Sequence, residues 1–442
     1  MTDPLPDHEP LRVAVLGAGT VGADVLRLIR LNGEELAHRI GAPLRVIGIA
    51  VQDVSKDRGE HVDHALLTTD ASALVREADL VVEVMGGIEP ARGLLLEAIE
   101  NGASVVTANK ALLAQDGVTL YEAADEHGVD LHFEAAVAGA IPLVRPIRES
   151  LAGDRIQRVL GIVNGTTNYI LDAMARTGAA FEDALARAQE LGFAEADPTA
   201  DVEGHDAAAK ASILASLAFH TRVGLQDVHC EGITSVTSAD IAAAARMGRT
   251  IKLLAIVERI ADAEGTERIS ARVYPAMIPS SHPLASVGEA YNAVFIEAEA
   301  AGSLMFYGQG AGGAPTASAI LGDLVTVARQ RVLGGVGPRE SRYADLEIVG
   351  IGSLRNGFYL SLTVQDRPGV LAEVAGTLSA HGISISTIHQ EPLPQAEGTE
   401  DRARIGIATY AAAESSVDSA LDVLDSSGAV IAIDSVLRIE GE

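Results

Sequence analysis

Lysine is rare in this chain, so each lysine is a candidate for chemistry. Only four lysines, Lys56, Lys110, Lys210 and Lys252, stand against 29 arginines in 442 residues. An ammonium group can orient a carbonyl and can donate a proton to an oxygen on which negative charge develops. Lys110 directly follows a predicted strand, on the side where parallel sheets bind ligands. We therefore expect Lys110 to act on a bound ligand, and the competing interpretation is an ordinary exposed lysine.

Acidic residues concentrate immediately before Lys210. The charged residues of this sixteen-residue segment are Glu195, Asp197, Asp201, Glu203, Asp206 and Lys210. Asp206 and Lys210 are four residues apart on a predicted helix and so share one face. Two interpretations stay open. One is an exposed ion pair that contributes about 0.3 kcal/mol, and the other is a set of acids that hold a ligand's ammonium group beside a proton-transferring lysine.

A glycine-rich turn, Gly17-Ala18-Gly19-Thr20-Val21-Gly22, separates a predicted strand from a predicted helix. In this setting the first glycine permits a tight turn, the second lets the backbone approach a pyrophosphate, and the third allows close packing. The helix N-terminus adds N–H groups that favour an anion. The pattern predicts dinucleotide binding, and the alternative is a plain glycine turn.

The residues after the second predicted strand bear on which dinucleotide is bound. Asp53 could hydrogen-bond a ribose 2′-hydroxyl, whereas Lys56 and Arg58 could neutralise a 2′-phosphate. A third interpretation is that all three are exposed loop charges.

The segment from Glu134 to Pro142 ends a predicted strand with an acid and enters a loop of small residues. Such a loop can direct successive backbone carbonyls at a hard cation beside one carboxylate. A simple turn explains the same residues equally well.

The predicted elements divide the first 332 residues into two α/β regions. A disordered leader at 1–10 precedes strands that begin near residues 11, 44, 80, 104 and 130 and alternate with helices, which predicts a doubly wound Rossmann domain over 11–150. An α+β domain follows over 151–315, with helices at about 168–176, 181–191 and 206–219 and strand-like segments between 268 and 299. A helix at about 316–332 could return to the first domain.

The last part of the chain has its own pattern. Glycines and a proline at 334–338 predict a linker over 333–356. Residues 357–442 then read as a βαββαβ unit of the ferredoxin-like kind. Asp366-Arg367-Pro368-Gly369 lies between its first strand and first helix, which suggests a ligand site or a dimer edge, or only a structural turn.

Composition narrows the possible partners. A formal net charge of −28 disfavours binding to nucleic acid or to anionic membranes. The single cysteine, Cys230, excludes an intrachain disulfide and a cysteine-rich metal site. No signal peptide and no long apolar stretch are evident, so we expect a cytoplasmic protein.

Five motifs together resemble the homoserine dehydrogenase family, from about Leu11 to the C-terminus. They are the glycine-rich turn at 17–22, Thr-Ala-Asn-Lys at 107–110, Asn-Gly-Thr-Thr-Asn-Tyr-Ile at 164–170, Leu-Gly-Phe-Ala-Glu-Ala-Asp-Pro at 191–198 and Asp-Ala-Ala-Ala-Lys at 206–210. The resemblance implies reduction of L-aspartate 4-semialdehyde to L-homoserine with NAD(P)H, on the route to threonine and methionine. It also implies that the α+β domain carries catalysis and dimerisation.

The resemblance also implies roles for single residues. Lys210 matches the proton-transfer lysine of the family, Lys110 its second active-site lysine, and Glu195 and Asp206 the acids that hold the substrate's amino group. The implied cofactor contacts are Gly17, Ala18, Gly19, Thr20, Val21, Gly22, Lys56, Arg58, Lys110 and Gly312. A structural sodium site is implied at Glu134 and the carbonyls of Val137, Gly139 and Ile141.

Cofactor choice and regulation follow from the same resemblance. Relatives that prefer NADP often carry an arginine where this chain has Gln52, but Lys56 and Arg58 remain, so we favour NADP and keep NAD possible. Asp-Arg-Pro-Gly-Val-Leu at 366–371 and His-Gly-Ile-Ser-Ile at 381–385 resemble an ACT domain. The resemblance implies L-threonine as effector and a homodimer or homotetramer.

Two competing functions are considered. An aspartate-semialdehyde dehydrogenase would need a thiolate nucleophile, and Cys230 in Asp-Val-His-Cys-Glu-Gly lacks the expected setting. A non-catalytic nucleotide and amino-acid sensor could use the Rossmann and ACT units for binding alone, although it would have no need of both Lys110 and Lys210.

Overall fold

The computed structural model describes residues 8–261, 265–394 and 401–441. Most of the predicted leader at 1–10 lies outside these residues. The chain forms two compact units. The first contains the residues up to Val159 together with Ala209–Gln226 and Asn292–Asp345, and the second contains Leu160–Ala208, Asp227–Tyr291 and the residues from Leu346 onwards.

The N-terminal part of the first unit is a parallel sheet with helical crossovers. Its elements are β1 (Leu11–Leu16), α1 (Thr20–Leu31), α2 (Gly33–Ile40), β2 (Leu44–Ala50), β3 (Leu67–Thr68), α3 (Ala71–Glu77), β4 (Leu80–Glu83), α4 (Ala91–Glu100), β5 (Ser104–Thr107), α5 (Lys110–His127), β6 (Leu131–His132) and α6 (Ala135–Ala138). The strands lie in the order β3-β2-β1-β4-β5-β6 and all pair in parallel. The order reverses between β1 and β4, the point at which such sheets bind ligands. The predicted Rossmann fold is confirmed.

The middle of the chain contains longer strands. Its elements are β7 (Ile156–Ile162), α7 (Gly165–Thr177), α8 (Phe181–Glu190), α9 (Thr199–Val202), α10 (His205–Phe219), β8 (His229–Cys230), α11 (Ser238–Arg246), β9 (Arg249–Ala261), β10 (Glu267–Pro279), β11 (Tyr291–Ala298), β12 (Gly302–Gln309) and α12 (Gly313–Val332). β9 and β10 form an antiparallel hairpin in the second unit, with Arg249 opposite Pro279 and Ala261 opposite Glu267. Sequence analysis did not predict β9 or β12.

Helix α12 belongs to the core of the first unit. Its apolar residues Ile320, Leu324 and Val327 are buried in one cluster with Ile29 of α1 and Leu36 of α2. Burying each such side chain stabilises the fold by about 1.5–3 kcal/mol. The helix is therefore part of the scaffold that carries the glycine-rich turn.

The C-terminal part of the second unit is a four-stranded antiparallel sheet with two helices. Its elements are β13 (Glu347–Ile348), β14 (Arg355–Gln365), α13 (Val370–Ala380), β15 (Ile385–Pro392), β16 (Arg402–Thr409), β17 (Ala412–Ala413), α14 (Glu414–Ser426) and β18 (Val430–Ile439). The sheet order β18-β14-β16-β15 confirms the predicted ferredoxin-like fold. The core is formed by buried apolar residues of the sheet, α13 and α14.

The end of β18 also contacts the middle region of the second unit. Arg438 and Ile439 pair in parallel with Ala276 and Met277 of β10. The buried Arg438 guanidinium forms ion pairs with Glu414 and Glu231. Within the described residues, no helix is long and apolar enough to cross a membrane.

Candidate functional site

The turn between β1 and α1 has the geometry of an anion cradle. Gly17 adopts φ +103°, and a Cβ added there would lie 2.8 Å from the Val84 carbonyl oxygen. A Cβ on Gly22 would lie 2.2 Å from the Gly17 oxygen, whereas one on Gly19 would meet no heavy atom within 4 Å. No side chain caps the first turn of α1. The first and third glycines are therefore needed for packing, and the space beside the second, in front of uncapped helix N–H groups, fits a dinucleotide pyrophosphate.

A second glycine-rich segment lies against the same helix. Gly312 adopts φ +119° and is the N-cap residue of α12, so no side chain caps that helix. A Cβ on Gly313 would lie 2.2 Å from Asp24 Oδ2 and 2.9 Å from Thr20 Cγ2. The start of α12 therefore lies next to the first turn of α1, and this places Gly312 close to the cradle.

The charged residues after β2 are exposed apart from Arg58, which is half-buried. Asp53 accepts hydrogen bonds from Ser55 Oγ at 2.6 Å and from Ser55 N at 2.8 Å, and these bonds lower the pKa of its carboxyl group. Arg58 donates to the Lys56 carbonyl oxygen at 2.8 Å. Asp53 is thus engaged by its own turn, while the Lys56 ammonium lies at the surface.

The carboxyl ends of β4 and β5 hold a buried acid that sequence analysis missed. Glu83 is 0% exposed and accepts hydrogen bonds from Thr107 Oγ1 at 2.6 Å and from the N–H groups of Met85 and Gly86. Thr107 Oγ1 in turn accepts the Asn109 N–H. This network fixes the loop that leads into Lys110, the exposed first residue of α5. The sequence feature that could have identified Glu83 is its position as an acid at the end of a continuous apolar strand, Leu-Val-Val-Glu.

The acids of the second unit do not all have the same environment. Glu195 is exposed, and Asp197 accepts hydrogen bonds from Thr199 N and Oγ1. Asp206 is only 9% exposed and accepts a hydrogen bond from Asn164 Nδ2 at 3.0 Å.

Lys210 lies one turn after Asp206 on α10 and is 7% exposed. Burial of both side chains excludes the interpretation of an exposed surface pair. Burying charged groups is costly, so such a pair is typical of a functional or structural role.

The loop after Glu134 offers backbone oxygens to a cation. The Glu134 carboxylate accepts the N–H groups of Leu143, Val144 and Arg145, so most of its acceptor capacity is used. Gly139 and Ile141 are buried, and their carbonyl oxygens accept none of the hydrogen bonds found among the described residues. Among the residues that the structure describes, no group of three or more acidic, histidine or cysteine side chains could hold a metal ion. The donors that fit a cation here are backbone carbonyls.

The fourth lysine has a structural environment. Lys252 on β9 is 2% exposed, and its Nζ donates to Asn168 Oδ1 at 2.9 Å and to the Val287 carbonyl oxygen at 2.6 Å. Burial lowers the pKa of this ammonium group to about 8, partly opposed by Asp172. Both of its partners belong to the second unit, and it lies outside the predicted site.

Three family models match the chain. The homoserine dehydrogenase NAD-binding domain matches residues 17–134, the homoserine dehydrogenase model matches 142–325, and the ACT domain matches 358–426. Homoserine dehydrogenase of Mycobacterium tuberculosis is 56% identical over 437 residues, covering 98% of this chain and 99% of the relative. The chain belongs to the homoserine dehydrogenase family. It is therefore an oxidoreductase with an NAD(P)-binding domain and a C-terminal ACT domain.

Solved structures of homoserine dehydrogenases agree with this assignment. The enzyme from Thiobacillus denitrificans superposes with a TM-score of 0.90 at 40% identity and covers 98% of both chains. A hyperthermophilic archaeal homoserine dehydrogenase, solved in complex with NADPH, gives a TM-score of 0.61 at 28% identity, over 75% of this chain and 100% of its own.

Cys230 has none of the properties of a catalytic thiolate. Burial, together with the charges of Glu203 and Glu231, raises the pKa of its thiol to about 11. The Sγ atom donates to the Glu203 carbonyl oxygen at 3.3 Å. A thiol with a raised pKa is a poor nucleophile at neutral pH. This observation agrees with family membership and removes the support for an aspartate-semialdehyde dehydrogenase.

Proposed function

We propose that this protein reduces L-aspartate 4-semialdehyde to L-homoserine with NADPH as the preferred cofactor. The observation that carries the proposal is the burial of two charged side chains four residues apart on α10, Asp206 and Lys210, in a chain that is 56% identical to a homoserine dehydrogenase over nearly its full length. Bound NADPH would supply the hydride that reduces the aldehyde carbon. The remaining chemistry belongs to the chain's own side chains.

In the proposed mechanism the substrate is oriented by charge. Asp206 and Glu195 hold its ammonium group. Lys110, which follows β5, orients the substrate. Lys210 donates a proton to the carbonyl oxygen as negative charge develops, so an alkoxide does not accumulate. Its burial strengthens this electrostatic stabilisation, because the surroundings are less polarisable than water.

The proposed cofactor contacts are the glycine-rich turn at 17–22, Gly312 and Lys110. NADP is preferred over NAD in this proposal because Asp53 is engaged by Ser55, which leaves Lys56 and Arg58 as the charged groups suited to a 2′-phosphate. The archaeal relative solved with NADPH supports the same choice.

The proposed cation is monovalent and is taken to be sodium. Its ligands would be Glu134 and the carbonyl oxygens of Val137, Gly139 and Ile141, because oxygen ligands suit a hard ion. The Glu134 carboxylate would fix the loop through its three N–H donors. The role of the ion would be to hold this loop, and no chemical step depends on it.

The ACT domain is proposed to bind L-threonine and regulate the enzyme, and the assembly is proposed to be a homodimer or a homotetramer. The domain boundary at residue 357 is part of this proposal, and limited proteolysis within 333–356 would test it. Isothermal calorimetry with threonine tests the effector, and size-exclusion chromatography with light scattering tests the assembly.

The decisive experiment measures nicotinamide reduction with L-homoserine at alkaline pH, with NADP⁺ and NAD⁺ at matched concentrations. Homoserine-dependent turnover with the higher kcat/KM for NADP⁺ is expected. Folded protein that turns over neither cofactor would contradict the catalytic proposal, and a higher kcat/KM with NAD⁺ would contradict the cofactor choice alone. Added threonine is expected to lower the rate.

A further inference from the structure

Asn164 occupies the junction between β7 and α7 and is 5% exposed. Its Oδ1 accepts hydrogen bonds from Thr167 N at 2.9 Å and Thr167 Oγ1 at 3.0 Å, so it caps α7. Its Nδ2 donates to Asp201 Oδ1 at 2.7 Å and to Asp206 Oδ2 at 3.0 Å. One amide group thus links the start of a helix to two acids.

The orientation of this amide is determined by its partners. The oxygen faces two donors, and the nitrogen faces two carboxylates, which accept hydrogen bonds when ionised. A flipped amide would place its oxygen against two carboxylates and its nitrogen against a backbone N–H, and so lose three of the four bonds, because only the Thr167 hydroxyl can also accept. Asn164 is therefore held rigidly and has both of its amide hydrogens engaged.

The bridge constrains Asp206 from outside its own helix. Asp206 lies in the first turn of α10, and Asp201 lies on the preceding short helix α9. Two carboxylates that share one donor group are kept at hydrogen-bond distance from that group despite their mutual repulsion. The amide therefore sets the direction of the Asp206 carboxylate and offsets part of its repulsion with Asp201.

We infer that Asn164 is a positioning residue for recognition of the substrate's amino group, acting through Asp206. The inference rests on the proposed function, in which Asp206 holds that ammonium group. Asn164 would thus contribute to the specificity of the site for α-amino acid substrates over analogues that lack the amine. Asn164 itself would not contact the reacting atoms.

The test separates positioning from helix capping. Aspartate and serine cap helices about as well as asparagine, so Asn164→Asp and Asn164→Ser keep the cap and remove the Nδ2 donor. Asn164→Asp also adds a third carboxyl group beside two others. Loss of a hydrogen bond to a charged group predicts that the KM for L-homoserine rises about 10- to 100-fold. The kcat and the KM for NADP⁺ should change much less.

A desamino analogue sharpens the readout. 4-Hydroxybutanoate has the carbon chain of homoserine without its ammonium group, and its inhibition constant should be nearly the same in wild type and in both variants.

The matched control is Asp70→Asn, the reverse exchange at the exposed N-cap of α3, where the side chain accepts a hydrogen bond from Ala73 N. It should leave the KM for homoserine unchanged. If Asn164→Asp unfolds at a lower Tm than the control, Asn164→Ser carries the test. Unchanged homoserine KM in both Asn164 variants, or an equal loss of affinity for 4-hydroxybutanoate, would overturn the inference. Absence of turnover in the wild type would instead contradict the proposed function.

Discussion

Alanine substitutions at Gly19 and Gly22 should affect different properties of the protein. A Cβ at position 22 would lie 2.2 Å from the Gly17 oxygen, and Cβ atoms essentially never approach a heavy atom within 3.0 Å. A Cβ at position 19 would meet no heavy atom, and the backbone there, with φ −77° and ψ −161°, is open to alanine. Gly22→Ala should therefore disturb folding, whereas Gly19→Ala should disturb only cofactor binding.

The expected magnitudes follow from these contacts. Relieving the overlap at position 22 requires a backbone shift, and such overpacking costs about 1–3 kcal/mol. The higher helix propensity of alanine offsets about 0.5–1 kcal/mol of this loss of stability. The net loss, on the order of 1–2 kcal/mol, should lower Tm by a few degrees. Gly19→Ala should leave Tm unchanged or slightly raised, because alanine restricts the unfolded chain.

The assay measures Tm and steady-state kinetics for both variants. A methyl group at position 19 would separate the helix N–H groups from a pyrophosphate, and loss of one such charge-assisted bond predicts a KM for NADP⁺ raised about tenfold or more. The KM for homoserine should change little in this variant. The reasoning is refuted if Gly19→Ala binds NADP⁺ as tightly as the wild type, or if Gly22→Ala retains the wild-type Tm.

Three further predictions concern the proton donor, the buried lysine and the cation. Lys210→Ala should lower kcat about 10²-fold with unchanged circular dichroism, the usual size of a general-acid effect, and a near-normal kcat would contradict that role. Because the pKa of Lys252 falls to about 8 on folding, the unfolded state binds more protons above that pH, and stability should rise between about pH 8 and 10. The rise in the free energy of unfolding should be about 3 kcal/mol at most, and chemical denaturation of Lys252→Met should show no such rise. An identical pH dependence of the unfolding free energy in both proteins would contradict this prediction. Replacing sodium with N-methylglucamine at constant ionic strength should lower Tm, and equal Tm values in both salts would argue against the site at Val137 to Ile141.

The sequence was most informative where local patterns and tertiary structure coincide. Buried parallel strands are continuous apolar runs between helices, so the Rossmann sheet could be predicted. The alternating elements after Phe358 likewise predicted the ferredoxin-like fold. Strand β9 was missed because Ile251 to Val257 is buried without interruption and contains a lysine, so neither a period of two nor a plain apolar run marked it.

Sequence patterns identify candidate site residues more readily than the contacts between them. Asp206 and Lys210 could be selected from spacing, but only the fold determines that both are buried. The bridge from Asn164 to Asp206 spans 42 positions and leaves no periodic signal. Glu134 could be selected as an acid beside a small-residue loop, yet its engagement by three N–H groups depends on how the following nine to eleven residues turn back.

The end of β18 pairs with both β14 and β10, which matters for engineering a shorter enzyme. Arg438 and Ile439 complete the ACT sheet and also pair with β10. A stop codon in the linker would therefore uncover backbone N–H and C=O groups on β10 and leave Glu231 without its arginine partner. The truncated enzyme should aggregate unless new residues cover that edge. Point substitutions within the ACT domain are therefore a safer test of the proposed regulation than truncation.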